Sequence, residues 1–300
     1  MRLLKKQSGF TAVEVLLVGA MLVLMLTLLM PCLLVSRRAA QQVECLNNLK
    51  QIGVALQNYE AVTGVLPPGC VNPVGPILNE PSGYHMSWTV QLLPMMDQQN
   101  LFEMIDRSLG AYSTATVLTV PTMLPSLVCP SDPAILESSG SGYAGSIGGS
   151  SREIDFDNTG LLFLNSSIAD HRIPDGRSNT FLAGEIRGSP VLFEKGLGWL
   201  SGTAATLRSS GIPLNSTDDR LYEIVTAKAG GFGSWHDGNV SMLFADGAVK
   251  SMSAETDCEI LVQLGDRADG EMLELQDDAS DRRVRNILQR ESSRMRRGSP

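Results

Sequence analysis

The stretch Gly9-Phe10-Thr11-Ala12-Val13-Glu14 opens an apolar run that continues to Val35 and carries one formal charge, Glu14. From Phe10 to Val35 there are 26 residues. At about 1.5 Å per residue they make a helix about 39 Å long, enough to cross a bilayer with some tilt. Arg2, Lys5 and Lys6 precede the run and form a basic leader over residues 1–9. By the positive-inside rule the leader stays cytoplasmic, although Arg37 and Arg38 weaken that bias. A secretory signal peptide fits less well, because its apolar core is shorter and its small-residue cleavage site follows the core. Here the small residue, Gly9, comes first. The acid is the informative residue: a carboxylate inside a membrane helix is costly unless paired, or unless it snorkels toward the leader side.

Outward from the anchor, the helix is expected to continue. Leu46, Leu49, Ile52, Leu56 and Tyr59 recur at steps of three and four, and Gly64 with Pro67-Pro68-Gly69 ends the pattern. One spine helix is therefore expected from about Phe10 to about Val62, with residues 10–35 in lipid and 36–64 against an exported domain at 65–265. Trp88, Leu92, Met95 and Met96 fit one face of a short helix. Leu161–Leu164, Thr180–Ile186 and Leu221–Thr226 are short apolar runs between turn residues and read as strands. Residues 140–151, rich in Gly and Ser, read as a surface loop. Thr256-x-x-Glu259 reads as a capping box opening a helix that ends by Gly265. Residues 266–300 turn charged and lose periodicity, as a mobile tail does.

The net charge is −8; setting aside the leader (+3) and residues 281–300 (+5) leaves −16 on residues 10–280. So acidic a body is a poor surface for nucleic-acid phosphates. Five cysteines include no C-x-x-C pair, which argues against zinc ribbons and thioredoxin-type chemistry. Cys32 falls in the anchor and is expected to be a free thiol; the other four, in an oxidising compartment, allow three pairings.

The segment from Gly9 to Glu14 resembles the processing site of type IV prepilins. That resemblance implies cutting after Gly9 by a prepilin peptidase, methylation of the Phe10 amine, and pairing of Glu14 with the amine of a neighbouring subunit. A narrower resemblance spans the chain to about Glu271. Cys45-Leu46-Asn47-Asn48-Leu49, Leu66-Pro67-Pro68-Gly69, Ser87-Trp88 with Leu92-Leu93-Pro94, Val128-Cys129-Pro130-Ser131-Asp132, Asp175-Gly176-Arg177-Ser178-Asn179-Thr180 with Gly184-Glu185, and His236 nine residues before Asp246-Gly247 are similar to the landmarks of a large bacterial family of prepilin-like proteins of unknown function. Asp237-Gly238 replaces the family's usual Pro-Gly after the His, and Arg177 stands where Thr is common. The resemblance implies an α+β, pilin-like fold, with the spine helix packed on a mainly antiparallel β domain. It also favours a Cys45–Cys129 disulfide, because both lie in landmark blocks; such a bond contributes roughly 2–4 kcal/mol.

No H-E-x-x-H, P-loop or G-x-S-x-G pattern occurs in the sequence, so no catalytic residue and no cofactor is assigned. His236 beside Ser234 is expected to cap a turn or pack on Trp235. Asp155-x-Asp157-Asn158 is oxygen-rich and is a weak calcium candidate against the simpler reading of an Asx-type turn. Val240, Met242 and Phe244 alternate with Ser241 and Leu243, as in a strand buried mainly on one face, and Asp246-Gly247 predicts a type I′ hairpin. That geometry sets His236 and Asp246 about 17 Å apart at opposite ends of one strand, so each is expected to fix its own turn. The reading is a single-pass protein of the cytoplasmic membrane, with its C-terminal domain on the periplasmic or extracellular side. It would be a structural subunit of a pilus-like or secretion-associated assembly that self-assembles or joins other pilin-like subunits. The alternative is a membrane-anchored surface binding module that uses prepilin processing only for export.

Overall fold

The computed structural model describes residues 12–119, 123–136, 139–149, 153–216 and 228–270. The leader with Gly9 and Phe10, the expected strand at Leu221–Thr226 and the Arg-rich end lie outside them, as does the Cys32 side chain. The fold is α+β. Helix α1 (Ala12–Thr63) is followed by short helices α2 (Trp88–Leu92), α3 (Gln99–Met104), α4 (Thr114–Thr119), α5 (Pro190–Glu194) and α6 (Cys258–Gly265). Strands β1 (Cys70–Val71) and β2 (Met86–Ser87) pair with each other. Strands β3 (Tyr143–Ser146), β4 (Phe181–Glu185), β5 (Leu207–Arg208), β6 (Asn239–Phe244) and β7 (Val249–Ser253) form a sheet in the order β5-β3-β4-β6-β7. All its neighbours are antiparallel except β3 with β5.

The spine runs unbroken for 52 residues, about 78 Å at the usual rise. Its end is where the sequence places it. Gly64 adopts φ 81° and donates its N–H to the Glu60 carbonyl at 2.7 Å, a left-handed cap that a side chain would strain. In the second half, Cys45, Leu49, Ile52, Ala55 and Leu56 are buried at helical spacing. Leu49, Ile52 and Leu56 pack in one core with Trp88, Tyr143, Leu162, Ala183 and Leu243. A second core on the other side of the sheet joins Phe181, Val240, Met242 and Phe244 to Leu261 and Leu264 of α6. Strand β6 is therefore buried on both faces, and the one-faced reading is corrected: Leu243 meets the spine while its neighbours meet α6. The close approach depends on Gly53, where a Cβ would lie 2.8 Å from Leu243 Cδ1.

Four further expectations change. Residues 140–149 are not a surface loop but a largely buried segment containing β3. Their glycines serve packing: a Cβ on Gly145 would stand 2.6 Å from Leu162 Cδ1. Leu161–Leu164 forms no strand, since the amides of Leu161 and Leu162 both donate to the Ser146 carbonyl and turn the chain. Helix α6 is capped by Asp257, whose carboxylate accepts from the Glu259 amide at 3.0 Å, rather than by Thr256, whose hydroxyl donates to the Ser253 carbonyl. The Asp246-Gly247 hairpin is not type I′, because only Gly247 has positive φ (88°). The Gly247 amide donates to the Phe244 carbonyl and the Phe244 amide to the Ala248 carbonyl, which makes a type I turn closed by a glycine bulge.

Candidate functional site

Two regions offer surfaces or chemistry beyond packing. The first is the front half of α1, where Val13, Leu16, Leu22, Leu28 and Val35 are all exposed. It is the one helix among the described residues that is long and apolar enough to cross a membrane. Glu14 sits in its first turn.

The second is a buried cluster where α1 meets the domain. Cys45 faces inward from α1 and is disulfide-bonded to Cys129, with 5.2 Å between their Cα atoms. The segment carrying Cys129 is laid along the helix by side chains of the same face. Asn48 Nδ2 donates to the Val128 carbonyl at 2.9 Å and Gln41 Nε2 to the Pro130 carbonyl at 3.1 Å. From the sheet, the Tyr143 hydroxyl donates to the Cys45 carbonyl at 3.0 Å. Burial, with the Glu185 charge nearby, pushes the Tyr143 phenol far above its ordinary range, so it stays a donor. Glu185 ends β4 pointing into this corner: its Oε2 accepts from the Ser241 amide at 3.0 Å. His236 closes the corner from the turn before β6. Its Nε2 lies 3.7 Å from Cys129 Sγ and 3.9 Å from Glu185 Oε1.

The turn carrying His236 is held from several sides. Its amide donates to Ser234 Oγ at 3.1 Å, and the Ser234 amide donates to Asn215 Oδ1 at 2.7 Å. Arg187, just past β4, donates from Nε to the Ser234 carbonyl at 3.0 Å and stands 5.6 Å over the Trp235 ring. The fully buried Asp132, three residues past Cys129, accepts from the Gly188 and Ala134 amides and from Trp235. Desolvation raises its carboxyl above the ordinary value. His236 thus differs from expectation: its ring turns inward to sulfur and carboxylate, and Arg187, not the imidazole, covers Trp235.

Residues 36–259 match the model of a family described as a protein of unknown function (DUF1559). The chain belongs to that family. No curated protein and no solved structure matches the chain. The family's span contains all four members of the cluster and the whole β6–β7 hairpin, whereas the exposed front of α1 lies before its first matched residue, Ser36.

Within that span, the other residues singled out in the sequence have separate tasks. Asp246 does fix its own turn, its Oδ1 accepting from the Ala248 amide at 2.9 Å. Its carbonyl accepts from Gln57 Nε2 at 2.8 Å, so the hairpin tip rests on the spine. Arg177, the departure from the common Thr, ties the same tip down. It reaches Glu60 on α1 through both terminal nitrogens, at 2.6 and 2.8 Å, and donates from Nε to the Ala245 carbonyl at 3.0 Å. Around Asp155 and Asp157 the chain makes a tight polar turn. Asn158 accepts from the Asp155 amide and donates to the Glu153 carbonyl, while Asp155 Oδ1 accepts from the Phe156 amide. His85 and His171 stand apart from the cluster: His85 contacts the Tyr112 hydroxyl at 3.2 Å, and His171 lies in an exposed single turn. Nothing in the sequence marks Glu185 as a partner of His236. The two belong to different blocks with no characteristic spacing, and only the pairing of β4 with β6 brings them together.

Proposed function

We propose that the protein is a membrane-anchored, pilin-like structural subunit, a main or minor component of a pilus-like or secretion-associated assembly. The observation that carries this reading is the division of labour along α1. One face of its rear half, through Cys45, Leu49, Ile52 and Leu56, packs into the domain, while its front half presents apolar side chains all round. A helical surface of that extent matches lipid and neighbouring helices, not water. Glu14 supports assembly over simple anchoring: an acid in an apolar helix is stabilised by a counter-charge, and the Phe10 amine of an adjacent processed subunit supplies one. Maturation then requires a prepilin peptidase acting at Gly9-Phe10. The Cys45–Cys129 disulfide suits a domain on the oxidising side of the cytoplasmic membrane.

The test is crosslinking in native membranes. With Cys32 and Cys258 replaced by serine, a chain carrying both Leu22→Cys and Leu28→Cys, two anchor thiols per subunit, is oxidised and run without reductant. A ladder of oligomers is expected, and Glu14→Ala should shorten or abolish it. Monomers alone at every anchor position would overturn assembly and leave an anchored binding module.

A further inference from the structure

Among the described residues, one group of His, Cys, Asp and Glu side chains gathers at metal-binding distances: Cys45, Cys129, Glu185 and His236, whose donor atoms all lie within 4.8 Å of one another. Cys45, Cys129 and Glu185 are buried, and the His236 side chain is 9% exposed at the mouth. Glu185 Oε1 is buried without a hydrogen-bond partner, while the other oxygen of the same carboxylate is satisfied by Ser241. A half-satisfied buried carboxylate is a cost that a cation would remove. That free oxygen faces His236 Nε2, and His236 Nε2 faces Cys129 Sγ.

Two sulfurs, one imidazole nitrogen and one carboxylate oxygen are a donor set for zinc. Tetrahedral zinc places its ligand atoms roughly 3.3–3.8 Å apart, given bonds of about 2.0–2.3 Å. The 3.7 and 3.9 Å separations around His236 already approach that spacing. The two bonded sulfurs must separate, and the remaining donor atoms, all within 4.8 Å of one another, must close on the ion. We infer that this cluster is a redox-controlled zinc site, with the disulfide as its oxidised, metal-free form. An external dithiol reduces Cys45–Cys129: two electrons and two protons pass to the sulfurs, and the dithiol becomes a disulfide. Zinc then displaces both thiol protons and is held by Cys45 Sγ, Cys129 Sγ, His236 Nε2 and Glu185 Oε1. Three anionic ligands against a divalent ion leave one negative charge, and the Ser241 amide already faces part of it through Glu185 Oε2. The link between spine and domain thus survives reduction, as a metal bridge in place of a covalent one. The inference also divides the His-(nine residues)-Asp-Gly pattern: β6 carries a metal ligand at one end and a hairpin seated on the spine at the other.

The test uses the full chain in detergent, with Cys32, Cys70 and Cys258 replaced by serine so that only the pair in question can bind metal. Reduced protein is titrated with cobalt(II) and then zinc, following the visible absorption of tetrahedral thiolate-bound cobalt. One cobalt per chain is expected in the reduced state and none in the oxidised state, with zinc displacing it. Glu185→Gln and His236→Ala should each weaken binding at least tenfold while retaining the oxidised protein's circular dichroism. A reduced protein that keeps its fold and takes up no cobalt would overturn the inference. So would cobalt binding that neither substitution weakens, since that would be adventitious binding by thiols alone. If His236→Ala does not fold, His236→Gln replaces it with the same criteria.

Discussion

Gly247 is where the hairpin is most exposed to a single change. Its φ of 88° lies in the left-handed region, and an added Cβ would stand 2.4 Å from Gln57 Nε2, the atom that holds the Asp246 carbonyl. Gly247→Val therefore incurs two costs. A non-glycine residue held left-handed costs about 1–2 kcal/mol, and more when β-branched. Displacing Gln57 loses a hydrogen bond worth about 0.5–1.5 kcal/mol. The two terms sum to about 1.5–3.5 kcal/mol, or a fall in melting temperature of about 3–14 °C for a domain of this size. The assay is thermal melting of the oxidised full chain in detergent with a chelator present, followed by near-ultraviolet circular dichroism. Gln57→Ala alone should cost only the hydrogen bond. Gly247→Val made on the Gln57→Ala background should still lose the backbone part, and His236→Ala should lose less than Gly247→Val under the same conditions. Full rescue of Gly247→Val by Gln57→Ala would refute the backbone argument. A melt unchanged from wild type would refute both parts.

The Cys45–Cys129 bond closes a loop with a sequence separation of 84, for which chain entropy gives about 4.5 kcal/mol. The double serine variant should lose about 2–4 kcal/mol, the usual yield of such a bond, in urea denaturation with chelator present, and an unchanged midpoint would contradict it. Arg177→Ala should lower stability by about 1–2 kcal/mol, discounted from a buried pair because the Arg177 side chain keeps 26% exposure. A double-mutant cycle with Glu60→Ala should return a coupling, and additive losses would deny one. Burial lowers the His85 pKa below its ordinary 6.5, so the unfolded chain binds the proton more readily than the fold does. Stability should be complete above about pH 6.5 and fall as the pH drops through the depressed folded value. His85→Gln should flatten that acid slope in pH-dependent melts; an unchanged slope would locate the titrating group elsewhere.

The sequence was most legible where local backbone physics and burial agree. The spine ends at Gly64 because a left-handed cap needs glycine, and Leu49, Ile52 and Leu56 are buried because their spacing leaves them on one face. Thr180–Ile186 reads as a strand and β4 occupies Phe181–Glu185. Legibility fails where a residue type has two physical uses. Gly145 is there for the closeness of Leu162, not for a loop, so β3 hides in a segment whose composition suggests flexibility. Leu161–Leu164 is apolar because it fills the core, but the Leu161 and Leu162 amides go to Ser146, the Phe163 amide to Ser166 Oγ, and only an isolated bridge from Leu164 to Cys70 forms. The pairing of Cys45 with Cys129 follows from the family resemblance and not from spacing. The convergence of Glu185 and His236 on that pair is a product of sheet topology, which no linear pattern carries.

The central claim, a processed pilin-like anchor, meets its most direct test at the N-terminus. Intact-mass and N-terminal peptide mass spectrometry of the protein purified from membranes of its native host should find a chain beginning at Phe10 with a methylated amine. Gly9→Val should leave the leader attached, as the proposed prepilin processing predicts. Methyl-Phe10 in the mature pool is the predicted result, and a mature pool that begins at Met1 would contradict the account.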